Sequence, residues 1–341
     1  MTIIDKVALV HVRDGRLLTT RSAGRERCYL PGGKREPGED DLAALTRELA
    51  EELGVQVDPA TVRPWGVFTH EADAQAAGTV VRTTAMTADV AGEPVASAEV
   101  DELAWLAPED RDRMTPTIGA VVDDLLAKGF FAQDRAVLFD LDDTLVATRE
   151  VKWEHHRFVA REHYGIDLDD ETLARHWGEP FGMMLGHLYR DAASTEEMVA
   201  TNHASAHLYP KTTRPGAVEL VTDLLDAGIP VGVVTSTLSQ PAADDLRRCG
   251  FPVDRLFTVQ GADRSPVHKP DPAVFTAALD TLRCLGIERV SYVGDAVMDA
   301  QAAAGAGLDF VAVTTGMVTA EAFPGVPVVA SIAEAGPYLG L

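Results

Sequence analysis

Residues Gly33 to Val55 read GKREPGEDDLAALTRELAEELGV, a glycine-led turn running into a helical repeat with carboxylates along one side. Glu48, Glu51 and Glu52 are three and four residues apart, so a helix sets their side chains beside one another. Like charges at that spacing repel unless a positive group sits among them. Oxygen-only carboxylate clusters suit Mg²⁺ or Mn²⁺, the ions that accompany phosphate esters. The pattern predicts a helix over 40–53, with acids at its start and Gly54 just past its end. Pro31-Gly32-Gly33 breaks the chain in front of it.

The rest of the amino-terminal region reads as strands. Residues 5–12 alternate loosely and break at Asp14-Gly15, and Arg16 to Thr20 completes a hairpin pattern. β-rich runs follow at 62–69, 79–90 and 103–106, and a helix at about 117–128 closes a mixed unit. A second unit starts at Ala136–Phe139, a buried-strand run ending in Asp140. Residues 150–210 are helical, polar and rich in His, Arg and aromatics. Strands at Pro230–Val234, Val290–Val293 and Phe310–Val313 then alternate with amphipathic helices, the pattern of a parallel sheet with crossovers. The helical block thus interrupts an α/β domain after its first strand.

Two domains suit 341 residues. Net charge decides which partners are excluded. Residues 1–133 hold 23 of the 53 acidic and 14 of the 30 basic residues, so both halves are acidic within a net charge of −23. Neither half offers a basic surface for a nucleic-acid polymer. A small anionic substrate needs local metal ions and a few Arg or Lys. No run of eighteen apolar residues marks a membrane helix, and MTIIDKVALVHV lacks the form of a secretory signal. Cys28, Cys249 and Cys284 follow no ligand spacing and read as reduced thiols of a cytoplasmic protein.

Gly33, Glu39, Arg47-Glu48-Leu49, Glu51-Glu52 and Gly54-Val55 occupy every fixed position of the Nudix hydrolase box, which this stretch resembles. A solvated acidic helix with an Arg47–Glu51 pair explains the charges, but not the Pro-Gly-Gly lead-in or the offsets of Glu39 and Gly54. The resemblance implies an α/β/α sandwich, with Glu48, Glu51 and Glu52 holding divalent cations and the Gly32–Gly33 turn offering carbonyls. Glu52 is the first ligand and activates water, while Arg47 and Glu39 orient the carboxylates. Glu99 or Glu102 is a further ligand or a solvated loop acid. Arg21, Arg25, Arg27 and Lys34 either meet substrate phosphate or balance local acid. LLTTRSAGRERCYLPGG is too short for the coenzyme A subgroup's lead-in, and Phe68–Glu71 lacks the ADP-ribose subgroup's proline. Both absences favour nucleoside di- or triphosphates. Nudix relatives often dimerise, so a homodimer is expected.

Phe139-Asp140-Leu141-Asp142-Asp143-Thr144-Leu145 resembles the first motif of the haloacid dehalogenase superfamily. Thr235 after its strand, Lys269 before Pro270, and Val293-Gly294-Asp295-Ala296-Val297-Met298-Asp299 follow in that family's order. The resemblance implies a Rossmann-like parallel-sheet core and a Mg²⁺-dependent phosphatase. Asp140 is then the nucleophile and Asp142 the acid–base group, with Thr235 and Lys269 on the phosphoryl oxygens. Asp140, the Asp142 carbonyl and Asp295 hold the metal, with Asp299 supporting them. Ser236 adds a hydrogen bond or caps the strand end. The block at about 150–215 matches the α-helical cap of phosphoglycolate phosphatase-like members. Trp153, His155, His156, Arg157 and Arg161 either face substrate or pack the cap, and Gly178–Gly182 is a candidate specificity loop.

The expectation is a Nudix domain over 1–131 and a capped phosphatase over 134–341, forming a bifunctional hydrolase with Mg²⁺ (or Mn²⁺) in both halves. Nudix cleavage of a nucleotide leaves a monophosphate, which the phosphatase converts to a nucleoside. Two alternatives stand beside it. One joins a nucleotide-sugar pyrophosphatase to an unrelated sugar-phosphate phosphatase, and the other makes the Nudix domain a sensor that regulates the phosphatase.

Overall fold

Alternate residues of the first strand face opposite interiors. In the computed structural model, which describes residues 2–73, 78–177, 179 and 181–341, β1 (Thr2–Leu9) sends Val7 and Leu9 to one core and Ala8 to another. β2 (Val12–Arg13) and β3 (Arg16–Ser22) form the expected hairpin, and its turn places Asp14 and Gly15 at positive φ. α1 (Asp41–Leu53) follows, then β4 (Gln56–Val57), β5 (Arg63–Glu71), β6 (Thr79–Thr87), β7 (Val90–Ala91) and β8 (Val100–Leu106). The strands pair as β1-β6-β5, β2-β3-β8 and β4-β7. α1 buries Ala44, Leu45, Leu49 and Leu53 against one side. α2 (Pro116–Ala127) buries Ile118, Val121, Val122 and Leu125 against the other, giving α/β/α layers.

Only a few residues separate α2 from β9 (Arg135–Phe139). β10 (Val146–Ala147) leads into four helices, α3 (Arg149–Tyr164), α4 (Asp170–His176), α5 (Phe181–Tyr189) and α6 (Thr195–Ser205). The chain returns through β11 (Thr212–Thr213), antiparallel to β10, so a two-stranded ribbon carries both crossings of the inserted block. α7 (Ala217–Asp226), β12 (Val231–Val234), α8 (Ser239–Arg248), β13 (Thr258–Gln260), α9 (Thr276–Cys284), β14 (Arg289–Gly294), α10 (Val297–Ala306), β15 (Asp309–Val313), β16 (Val328–Val329) and a short α11 (Gly336–Leu339) follow. The sheet order is β13-β12-β9-β14-β15-β16, all parallel. β13 and β16 escape the sequence reading because three- and two-residue strands carry no usable periodicity.

Both faces of this sheet are covered. Val137 and Phe139 face a core shared with α7 and α8. Ala136 and Leu138 face the other core, which holds Phe275 and Leu282 and continues into Phe130, Val121 and Leu106 of the first unit. Trp65 and Phe257 both pack edge-on against Phe130 across that junction. Arg63 also donates to Asp280 at 2.7 Å.

Candidate active sites

The first site hangs on the ends of α1. The Asp40 side chain accepts from the Ala43 N–H at 2.8 Å and starts the helix. Gly54 ends it at φ 64°, a left-handed conformation that costs glycine little. Between these ends Arg47 ties the box together. Its Nε and Nη2 donate to Glu39, each at 2.8 Å, its Nη1 to Glu48 at 2.9 Å, and its Nη2 also to the Lys34 carbonyl at 3.0 Å. The guanidinium holds the Glu39 carboxyl down to about 2. A Cβ on Gly33 would meet the Glu48 carboxylate and displace it from its place beside Arg47.

Glu52 is the buried acid of the helix. It accepts from the Gly32 N–H at 2.8 Å. Burial, with the negative charge of Glu48, pushes its carboxyl up to about 7 against the pull of the Gly32 N–H and Lys6. Glu51 is 57% exposed and only approaches Arg47, at 3.6 Å. The three helix carboxylates do not converge on one point here, because Glu48 and Glu51 turn to Arg47 and Glu52 turns to the Gly32 N–H. Glu52 opens onto a cleft of about 500 Å³ that Lys6, Arg25, Tyr29, Lys34 and Glu99 also line.

Other predicted residues divide between the cleft and surface pairs. Arg27 is not among the lining residues and faces Asp73 at 3.8 Å. Arg21 and Arg113 both hold Glu102, which leaves Glu99 as the loop acid at the cleft. Lys6 carries no motif signal and is brought there by its strand.

The second site is built by strand register. Val233, Phe139 and Val293 are aligned neighbours on β12, β9 and β14. Thr235, Asp140 and Asp295 therefore leave the same carboxyl edge of the sheet, where parallel α/β folds bind ligands. The Lys269 Nζ donates to Asp140 at 2.6 Å and to Asp299 at 2.8 Å. All three side chains are nearly sealed, at 6%, 9% and 3% exposure respectively. Asp140, Asp295 and Asp299 bring ligand oxygens within 4.8 Å of one another.

That proximity is electrostatically costly. Burial and the neighbouring Asp299 push Asp140 up to about 7 against the pull of Lys269. Burial and Asp140 push Asp295 up to about 8. A cation among these oxygens would relieve both. A Cβ on Gly316 would collide with the Asp295 carboxylate, so the loop leaves room for that side chain only because it is glycine. The residues present fit a hard divalent ion.

The Asp142 carboxylate lies outside the converging group, and the expected ligand there is its backbone carbonyl. Its Oδ1 accepts from Thr148 and from Lys211, both at 2.5 Å, and its Oδ2 accepts from Thr237 at 2.6 Å. Burial pushes this carboxyl up, but Lys211 and the two hydroxyls bring it below its ordinary value. Thr148, Thr237 and Lys211 were missed from sequence. Thr237 lies two residues beyond Thr235 and was open to a period-two reading, whereas no spacing points to Lys211. The Thr235 hydroxyl accepts from the Thr237 N–H at 3.1 Å, and Ser236 lines a crevice of about 10 Å³ beside Thr235 and Lys269.

His155 and His156 turn into the inserted block. The His155 Nε2 pairs with the Ser205 hydroxyl at 2.9 Å, and His156 lies 3.2 Å from both the Tyr189 hydroxyl and the Asn202 amide. Trp153 and Arg157 border a separate surface pocket with Met317, and Arg161 pairs with Asp167. In the anticipated specificity loop, Gly178 and Pro180 lie outside the described residues. Glu179 accepts from His176 and His187 at 3.0 and 2.7 Å, forming a second metal-capable group.

Two carboxylate-rich sites stand on one chain, one in each half. The NUDIX domain profile matches residues 4–125 and the haloacid dehalogenase-like hydrolase profile matches residues 137–313, and the chain belongs to both families. The second region is similar to a phosphoglycolate phosphatase of Rhodospirillum rubrum, at 30% identity over 197 residues, covering 53% of this chain and 80% of the relative. The first is similar to a CTP pyrophosphohydrolase of Escherichia coli, at 33% identity over 114 residues, covering 32% and 80%. A Thermotoga maritima protein provisionally described as a beta-phosphoglucomutase shares the fold at TM-score 0.53 and 24% identity, covering 60% of this chain and 98% of that one. The protein is thus an enzyme with a Nudix pyrophosphohydrolase domain and a haloacid dehalogenase-like phosphatase domain. Both families are generally metal-dependent. No helix among the described residues is long and apolar enough to cross a membrane.

Proposed function

We propose that the chain is a Mg²⁺-dependent bifunctional hydrolase. Its first domain cleaves a nucleoside di- or triphosphate to a monophosphate, and its second hydrolyses a phosphate monoester through an aspartyl-phosphate. The observation that carries the second half is the Lys269 ammonium lodged between Asp140 and Asp299, with Asp295 converging on the same point. A nucleophilic carboxylate must meet an anionic phosphate, and a buried lysine beside it offsets that repulsion.

In the phosphatase, Asp140 attacks phosphorus, the ester P–O bond breaks, and Asp142 gives its proton to the departing oxygen. Asp142 is ionised while Lys211 holds it, so it must first take up a proton, which an approaching phosphate dianion favours. It then removes a proton from water, which attacks the aspartyl-phosphate and frees Asp140. Lys269 and Thr235 hold the phosphoryl oxygens. Asp140, Asp295 and Asp299 would hold the cation, which supplies charge compensation on the phosphoryl group. The inserted helices serve as a cap that excludes water and selects the leaving group.

In the Nudix domain, Glu48, Glu51 and Glu52 would hold the cations, which lower the pKa of the attacking water. Arg47 and Glu39 fix the helix carboxylates, and Arg25 and Lys34 at the cleft meet the substrate phosphates. The net charge of −23 disfavours a nucleic-acid polymer, and the cleft with Arg25 and Lys34 has room for a single nucleotide.

The test is a nucleotide panel with Mg²⁺, following products in time. Conversion of a nucleotide through its monophosphate to the nucleoside is expected. Accumulation of every monophosphate would overturn the tandem and leave two independent activities.

A further inference from the structure

Two aspartates of the first phosphatase motif, Asp140 and Asp142, have a lysine each, while the third, Asp143, is held by Arg214. Lys269 belongs to Asp140, and Lys211 lies against Asp142. Lys211 follows α6 and immediately precedes β11, at the return crossing of the ribbon. Its side chain is 11% exposed and is fastened at both ends. The ammonium meets Asp142 at 2.5 Å and Asp245 of α8 at 3.1 Å. Its own carbonyl accepts from Arg248 at 2.5 Å, and Arg248 pairs with Asp245 at 2.6 Å. This closed ring of charges leaves the lysine little freedom. With Thr148 it fills Oδ1 of the Asp142 carboxylate, while Oδ2 takes only the Thr237 hydroxyl and keeps a lone pair for the leaving group.

We propose that Lys211 is a positioning residue for the phosphatase step, fixing the direction in which Asp142 faces the leaving group. The inference rests on the reading of Asp142 as proton donor. A carboxylate aimed correctly shortens proton transfer to the departing oxygen, and a misplacement of about 1 Å is enough to cost rate. Lys211 touches neither the nucleophile nor the lysine that serves it. Its effect should therefore track how much the leaving group needs a proton.

The full chain is assayed with Mg²⁺ on two monoesters, β-glycerophosphate, whose alkoxide needs a proton, and p-nitrophenyl phosphate, whose phenolate does not. kcat/KM reports the step up to formation of the aspartyl-phosphate. Lys211→Met should lower it about tenfold for the alkyl ester and leave the nitrophenyl ester within about twofold. Asp142→Asn should lower the alkyl ester about 100-fold with a far smaller effect on the other. The double variant should match Asp142→Asn alone, since the lysine acts through that group. Asp245→Asn, which frees Lys211 from one partner, should give a smaller loss of the same selectivity. That variant carries the test if Lys211→Met does not fold.

Equal losses on both esters, or none, from Lys211→Met and Asp245→Asn while Asp142→Asn stays selective would overturn the proposal alone. If Asp142→Asn shows no selectivity, its reading as proton donor fails and the role of the lysine falls with it.

Discussion

The two carboxylate sites solve the same problem from opposite directions. At the first, the acids come from one helix, and the groups that steady them lie within some twenty residues of sequence, from Gly32 to Glu52. At the second, Asp140, Lys269 and the Asp295–Asp299 stretch arrive from three separate segments, which a parallel sheet brings together. The cation inside the first cluster is Arg47, partly exposed and bound from the side. The cation inside the second is Lys269, sealed among the acids. A contiguous site can keep its ligands apart and half-solvated, whereas an assembled one confines them and needs its own buried counter-charge.

The sharpest way to break that contrast is to disable one site and watch the other. Asp140→Asn removes the nucleophile and should reduce phosphate release by ~10³-fold or more while leaving anhydride cleavage intact. Separate assays of monophosphate and pyrophosphate substrates measure both. Glu52→Gln is the mirror experiment. It should cost pyrophosphate cleavage about 10²-fold and leave the phosphatase untouched. Loss of both activities from either change would mean that the sites are not chemically separate.

Acid should then divide the two regions. His155 and His156 are buried neutral, and burial holds their imidazoles down to about 4 and about 3. The unfolded chain binds protons at these histidines as soon as pH drops through about 6.5. Their contribution is therefore complete above that value and is lost as pH falls toward 4 and 3. The inserted helices should lose stability between about pH 6.5 and pH 4. Hydrogen exchange at pH 7 and pH 4 should show α3 and α6 opening well before α1. Uniform opening would remove the histidines as the cause.

The smallest effect is expected at the start of α1. Asp40→Ala removes the cap and should destabilise the helix by about 1 kcal/mol, read as a lowered midpoint of unfolding. If anhydride cleavage falls in step while the phosphatase is unchanged, the local character of the first site is sharpened further.

This difference also sets how much of each site could be read from sequence. The Arg47–Glu39–Glu48 arrangement was legible because a turn and one helix fix every offset. The strand-end positions of Asp140, Thr235 and Asp295 were legible from apolar runs ending in polar residues. Lys211 was not, because its place beside Asp142 depends on pairing Val146 with Thr213 across the whole inserted block. Arg27 stood between phosphate contact and charge balance, because a basic cluster in sequence does not say which member turns to the cleft, and its approach to Asp73 favours balance. His155 and His156 likewise were read as either site or packing residues, and the burial of α3 decides for packing.

The junction between the halves has a consequence for the history of such a chain. Phe130 sits between Trp65 and Phe257, in one apolar interior that runs from Leu106 to Tyr292. A recombination event that parted the gene near residue 133 would give each product an oily face with nothing to cover it. Either half on its own would therefore need a different set of residues on that surface, or a partner to cover it.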